Sequence, residues 1–167
     1  MSKIEYITIG NWDYHIETTR YLDLSIKNLK EIPAEVALLR NLHYLDISHN
    51  QITRITNLPP KLKTLYCTNN ELVELPILPI TLRRLDCSCN KITNLDNLPP
   101  YLSDLLCYYN NITSVDRLPL TLIRLYCDLN CITTIDYLPI GLKKLSCARN
   151  PISSYDNIPP KLVQFFY

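Results

Sequence analysis

The chain is poor in several things that would point to chemistry. It has two glycines, one tryptophan, one methionine and three histidines in 167 residues. With so little glycine, its turns must be shaped mainly by proline and asparagine. His15, His43 and His49 do not recur at a fixed spacing, and no Ser-His-Asp or metal-binding spacing accompanies them. Nothing in the sequence therefore calls for catalysis, a metal or a cofactor. Neither sign of charge dominates, with 17 Lys and Arg against 16 Asp and Glu. That balance argues against a general attraction to nucleic acid or to an anionic membrane, while leaving room for a local patch. No apolar run approaches the length of a membrane span. The opening Met1-Ser2-Lys3-Ile4-Glu5-Tyr6-Ile7 lacks the basic segment and apolar stretch of a secretory signal. The expectation from these features is a soluble intracellular protein of the cytoplasm.

What the chain does have is a repeat. Leu62, Leu65, Cys67, Asn70 and Leu72 set out the spacing Leu-x-x-Leu-x-Cys-x-x-Asn-x-Leu. Twenty residues on it returns as Leu82, Leu85, Cys87, Asn90 and Ile92, and then three more times to Asn150 and Ile152. One step back gives Leu42, Leu45, Ile47, Asn50 and Ile52. Six asparagines fall at 50, 70, 90, 110, 130 and 150 without slippage. A fixed period with apolar residues locked in phase is the mark of a solenoid, in which each turn buries its apolar side chains against its neighbours. The hydrophobic content of 47% is ample for such a core.

The pattern assigns a role to each part of a turn. Strands centred on Leu-x-Cys are expected at 22–24, 45–47, 65–67 and every twenty residues to 165–167, stacked parallel and in register. The asparagine after each strand has an amide that donates and accepts, which suits it to satisfy backbone groups in a sharp turn. Opposite the strands, each turn carries Leu-Pro or Ile-Pro, from Leu58-Pro59 to Ile158-Pro159. Proline lacks an N–H and disfavours helix before it, so this side should be extended, with at most short helical turns. Only the first repeat, around residues 21–41, is longer. Lys27 stands 23 residues before Asn50, and Pro33 followed by Val36 and Leu39 predicts a short helix there. Residues 1–19 fall outside the period. Ile4 to Ile9 is β-prone, Gly10-Asn11 signals a turn and Trp12-x-Tyr14-x-Ile16 alternates, which predicts a hairpin capping the solenoid of residues 20–167. The chain ends on Phe165-Phe166-Tyr167 with no asparagine after it. That last strand is an open edge, a truncated end or an end closed by aromatic bulk; as an open edge it would serve a homodimer or other self-association.

Of the seven cysteines, Cys67, Cys87, Cys107, Cys127 and Cys147 share one repeat position. In-register strands place such residues about 4.8 Å apart with parallel Cβ vectors. A disulfide needs Cβ atoms about 3.8 Å apart and converging, and zinc needs four ligands converging on a point. The expectation is a ladder of buried, reduced thiols packed as small hydrophobes. Cys89 and Cys131 lie off it.

These residues resemble the leucine-rich repeat family, whose motif is Leu-x-x-Leu-x-Leu-x-x-Asn/Cys-x-Leu. The likeness covers roughly residues 20–167, with cysteine at the third leucine position in five turns. The short period with Leu-Pro is similar to the class found in bacterial effector proteins. The abundance of Asn, Ile, Lys and Tyr also resembles repeat proteins of AT-rich genomes, including giant DNA viruses such as mimivirus; that origin would place the chain in the host cytoplasm. The resemblance implies a curved solenoid with a parallel β-sheet on its concave face, and binding of a protein partner by that face.

Strand alternation then names the residues a partner would meet, because the neighbours of each inward Leu and Cys point outward. In the middle turns Tyr66, Leu106, Tyr108 and Tyr126 form an apolar, aromatic surface flanked by Arg84, Asp86, Arg124 and Asp128. Tyrosine and arginine are enriched at binding hot spots. A nucleic-acid track through Arg83, Arg84, Arg124, Lys143 and Lys144 is the rival, but Asp86, Asp104 and Asp128 interrupt it.

Overall fold

The computed structural model describes residues 5–167. It opens on an antiparallel hairpin, β1 (Tyr6–Ile9) and β2 (Trp12–His15), with Ile9 opposite Trp12 across Gly10-Asn11. Gly10 has φ +63°, a left-handed conformation that glycine adopts without a Cβ clash. Ile4, read as the start of the first strand, lies outside the described residues. Ile7 and Ile9 face the solenoid and join its core.

Eight three-residue strands follow: β3 (Tyr21–Asp23), β4 (Tyr44–Asp46), β5 (Thr64–Tyr66), β6 (Arg84–Asp86), β7 (Asp104–Leu106), β8 (Arg124–Tyr126), β9 (Lys144–Ser146) and β10 (Gln164–Phe166). They form one parallel sheet in sequence order. Leu22, Leu45, Leu65, Leu85, Leu105, Leu125, Leu145 and Phe165 pair in register from turn to turn. The helix expected in the first repeat is a 3-10 helix, Ala34–Leu38, preceded by Pro33. Val36 and Leu39 are fully buried beneath it. From Asn50 on there is no helix. Each Leu-Pro instead begins a tight turn in which the proline carbonyl accepts from the leucine three residues later, as in Leu82 N to Pro79 O at 3.0 Å and Leu142 N to Pro139 O at 2.9 Å.

The strands lie one residue earlier than the pattern predicts, so the cysteines sit just beyond them. The backbone explains the shift. Cys67 N still donates to Asp86 O at 2.8 Å, but its carbonyl is taken by side chains, receiving Asn70 Nδ2 at 3.2 Å and Asn90 Nδ2 at 3.0 Å. The same asparagines close the turn on the other side, where Asn70 Oδ1 accepts Ile52 N at 2.9 Å and Asn90 Oδ1 accepts Leu72 N at 3.0 Å. Asn110, Asn130 and Asn150 repeat the arrangement. Each amide thus ties two successive turns by groups that would otherwise be buried and unpaired.

Entry into this arrangement is costly. The residue before each asparagine is left-handed: His49, Asn69, Cys89, Tyr109, Leu129 and Arg149 have φ between 51° and 57°. Asparagine tolerates that conformation; for the other five it costs roughly 1–2 kcal/mol each. The asparagine amide that follows sets each of these bends, and the residue entering it takes the left-handed conformation whatever its type.

Cys67, Cys87, Cys107, Cys127 and Cys147 are fully buried and free. Burial foremost, then neighbouring thiols and carboxylates, pushes Cys67 and Cys107 far above the usual thiol range. Cys147 is pushed up to about 12 by burial and by Asp128. Thiolate is the reactive form. Titration of the native protein with a thiol reagent at mildly alkaline pH should therefore modify Cys131, which is exposed, and more slowly Cys89, which is half-buried. The ladder thiols should appear only on adding denaturant; rapid native modification of all seven would refute the packing.

Asn110→Ala tests the amide tie. It strips Ile92 N of its acceptor and leaves the carbonyls of Cys87 and Cys107 short of a donor. Urea unfolding should show a loss of about 2–5 kcal/mol, the sum of such orphaned groups.

Candidate functional site

The outward residues of β5 to β8, with the positions just after them, hold the eight candidate side chains on one continuous face. Tyr66, Arg84, Asp86, Leu106, Tyr108, Tyr126 and Asp128 are half-buried, and Arg124 is exposed. In-register pairing sets Tyr66 beside Asp86, Asp86 beside Leu106, and Leu106 beside Tyr126. Arg84 and Arg124 stand one column away, on either side of Asp104.

The structure divides the eight by what already occupies them. Arg124 forms an ion pair with Asp104 through Nε. Asp104 is only 7% exposed and also accepts Ser103 Oγ at 2.6 Å. Burial raises the pKa of this carboxyl, but the hydrogen bonds from Arg124 and Ser103 and the charges of Arg124 and Arg84 outweigh it and hold the carboxyl below its ordinary value. Arg124 thus holds a buried charge in place, a role its variable position in the repeat did not reveal. Asp128 accepts Ser146 Oγ at 2.6 Å and Ala148 N at 3.0 Å. Asp86 accepts Ser88 N at 3.1 Å, a local turn bond that Asp23 and Asp46 also make with Ser25 and Ser48.

The tyrosines, Leu106 and Arg84 remain available. Arg84 lies over the Tyr66 ring, 5.4 Å from its centroid, in cation–π range. Its guanidinium forms neither of the two ion pairs found among the described residues. Tyr108 is pushed above its usual pKa by burial first and then by Asp86 and Cys89, so the phenol stays neutral as a donor and acceptor.

Two residues outside the predicted set extend this strip. Tyr44 meets Tyr66 edge to face with centroids 5.4 Å apart, and Tyr21 stacks on Tyr44 at 4.3 Å. The signal for them was a run of aromatics in adjacent outward positions of β3 to β5, read across two neighbouring columns rather than within one.

Comparison with known proteins agrees with the solenoid architecture. The family described as Leucine Rich Repeat matches residues 41–60. Bovine (Bos taurus) lumican is 38% identical over 71 residues, which cover 41% of this chain and 20% of lumican, so the chain matches only about one-fifth of that relative's length. Among solved structures, a Shigella effector leucine-rich repeat domain superposes with a TM-score of 0.75 at 34% identity, over 82% of this chain and 61% of that one. The functional domain of InlJ from Listeria monocytogenes, described as including a cysteine ladder, superposes with a TM-score of 0.63 at 27% identity, over 87% of this chain and 41% of that one. With eight in-register strands and one phased core, the fold is a leucine-rich repeat solenoid.

The Arg124–Asp104 pair gives a pH-dependent expectation. Arg124→Ala should cost about 1–2 kcal/mol at neutral pH, moderated because the arginine is partly exposed. Because the folded Asp104 pKa is depressed, its contribution is full above the ordinary carboxylate pKa of about 4 and is lost as pH falls through the lower folded value. Urea melts of the variant and the parent should converge in strong acid; a pH-independent gap would show that Arg124 acts by packing alone.

Proposed function

We propose that this leucine-rich repeat solenoid is a protein-binding module that receives its partner on the concave sheet. The observation that carries the reading is the pair of apolar clusters on the outward face, Tyr21, Tyr44 and Tyr66 on one side of Asp86 and Leu106, Tyr108 and Tyr126 on the other, with Arg84 beside them. Inward positions repeat because packing dictates them. Outward positions vary from turn to turn, and this variation concentrates large aromatic side chains where a solvated sheet needs none. The known leucine-rich repeat folds that resemble it include a domain of a bacterial effector, and the fold as a class serves protein–protein contact. Half-buried tyrosines offer rigid apolar area with a polar tip, which favours a folded protein surface over a small ligand.

The test must spare Arg124, since removing it disturbs Asp104. Tyr66→Ala combined with Tyr126→Ala removes two anchors that make no hydrogen bonds among the described residues. In affinity purification from the native host, a partner retained by the parent should weaken by roughly tenfold or more on the double variant, as loss of hot-spot side chains implies. Thermal unfolding should be nearly unchanged. An identical set and yield of captured proteins would reject the concave face as the binding surface.

A further inference from the structure

The flank that leads into each strand carries cations and exposed apolar side chains but no carboxylate. Residues 60–63 and their equivalents every twenty residues to 160–163 include no Asp or Glu. Their backbones stack directly: Arg83 N donates to Lys63 O at 2.8 Å, Ser103 N to Arg83 O at 2.9 Å, Ile123 N to Ser103 O at 2.8 Å, and the chain of bonds continues to Val163. The first position of each group forms an exposed ridge of Pro60, Ile80, Pro100, Leu120, Ile140 and Pro160. Ile80, Leu120 and Ile140 are 61%, 84% and 69% exposed. Beside the ridge stand the exposed cations Lys61, Lys63, Arg83, Lys143 and Lys161. His43, on the same column, is held below its usual pKa by burial first and then by Lys63, Arg20 and Lys61, which registers the positive potential there. The acidic side chains Asp96, Asp116, Asp136 and Asp156 sit on the convex back instead. At the N-terminal end Glu17 approaches this edge, but it accepts from Asn41 Nδ2, and Asn41 in turn accepts from Lys61.

From this surface we infer that the flank docks on an anionic lipid bilayer, with Leu120, Ile140 and Ile80 entering the headgroup boundary and the lysines and Arg83 meeting lipid phosphates and carboxylates. Three observations favour a bilayer over a peptide or a polynucleotide. The apolar side chains project from turn tips as a row spaced by about 4.8 Å, and the surface clefts at 54–97 and 94–118 lie on the convex side, away from the ridge. A ridge has no groove in which a peptide could bury its own apolar residues. A ridge of apolar tips bordered by cations that face no carboxylate matches the needs of an interfacial anchor, whereas a polynucleotide gains nothing from exposed Leu and Ile.

Flotation of the full chain with vesicles provides the test. The protein should float with phosphatidylcholine vesicles containing phosphatidylserine and stay behind with phosphatidylcholine alone. Leu120→Asp with Ile140→Asp should reduce the bound fraction by about tenfold or more, with circular dichroism and thermal unfolding unchanged because both side chains are exposed. Lys143→Glu should reduce it by about fivefold or more, and raising the salt should weaken the parent. No flotation with phosphatidylserine vesicles would overturn the inference. So would flotation insensitive to the Leu120 and Ile140 changes, which would mark simple polyanion binding, or capture by a polyglutamate peptide in place of vesicles.

Discussion

A buried carboxamide, repeated once per turn, is the constraint from which the other features follow. Asn70, Asn90, Asn110 and Asn130 each donate to the carbonyl just past the end of their own strand and to the matching carbonyl one turn back, and each accepts an N–H from the previous turn. Taking those carbonyls stops the strands at three residues. It also fixes where the chain must bend, and this is why the preceding residue is left-handed whatever its type. Leu129 and Tyr109 accept a conformation that neither favours, because the bonds made by the next residue outweigh the strain. A solenoid has no central core to hold it together, so ties between neighbours must carry its stability.

Once the turn is fixed, the apolar phase has little freedom. From Leu42 to Cys147 the same three inward positions are filled by Leu, Leu and Cys, with Ile47 replacing the cysteine in the first of these turns and Leu24 one turn earlier. The sulfurs fit as well as those larger groups because the position also faces a backbone acceptor: Cys67 Sγ lies 3.4 Å from Asp86 O, and Cys87 Sγ lies 3.5 Å from Leu106 O. These contacts and complete burial keep the thiols neutral and unlinked. The ladder is thus a packing device whose thiols are inaccessible to solvent.

Most of this was legible in the sequence because it is dictated by packing, and packing repeats. The register, the inward Leu and Cys, the bonding task of the asparagines, the hairpin turn at Gly10 and the short helix after Pro33 all show as period or turn chemistry. The one-residue displacement of the strands did not show, because it depends on which partner captures the Cys67 carbonyl, a competition that alternation cannot reveal. The left-handed column was hidden for the opposite reason: position dictates its backbone but leaves its side chain free, so His49, Cys89 and Arg149 share no type. Among the candidate residues, alternation placed all eight on the outward face. It could not separate Arg124, occupied by buried Asp104, from Arg84, which rests on Tyr66, because their repeat positions are identical.

The division between dictated and free positions also explains how one small solenoid carries two surfaces. Residues 83 and 84, and likewise 143 and 144, are chain neighbours, yet Arg83 and Lys143 belong to the flank while Arg84 and Lys144 belong to the sheet. Backbone stacking fixes where each column runs but not what it displays, so the flank can lose every carboxylate while the sheet keeps Asp86, Asp104 and Asp128. The two columns point in different directions from the same backbone. A protein held on the sheet therefore leaves the flank uncovered, and a bilayer beneath the flank would present the aromatic clusters sideways, open to a partner moving along the membrane surface.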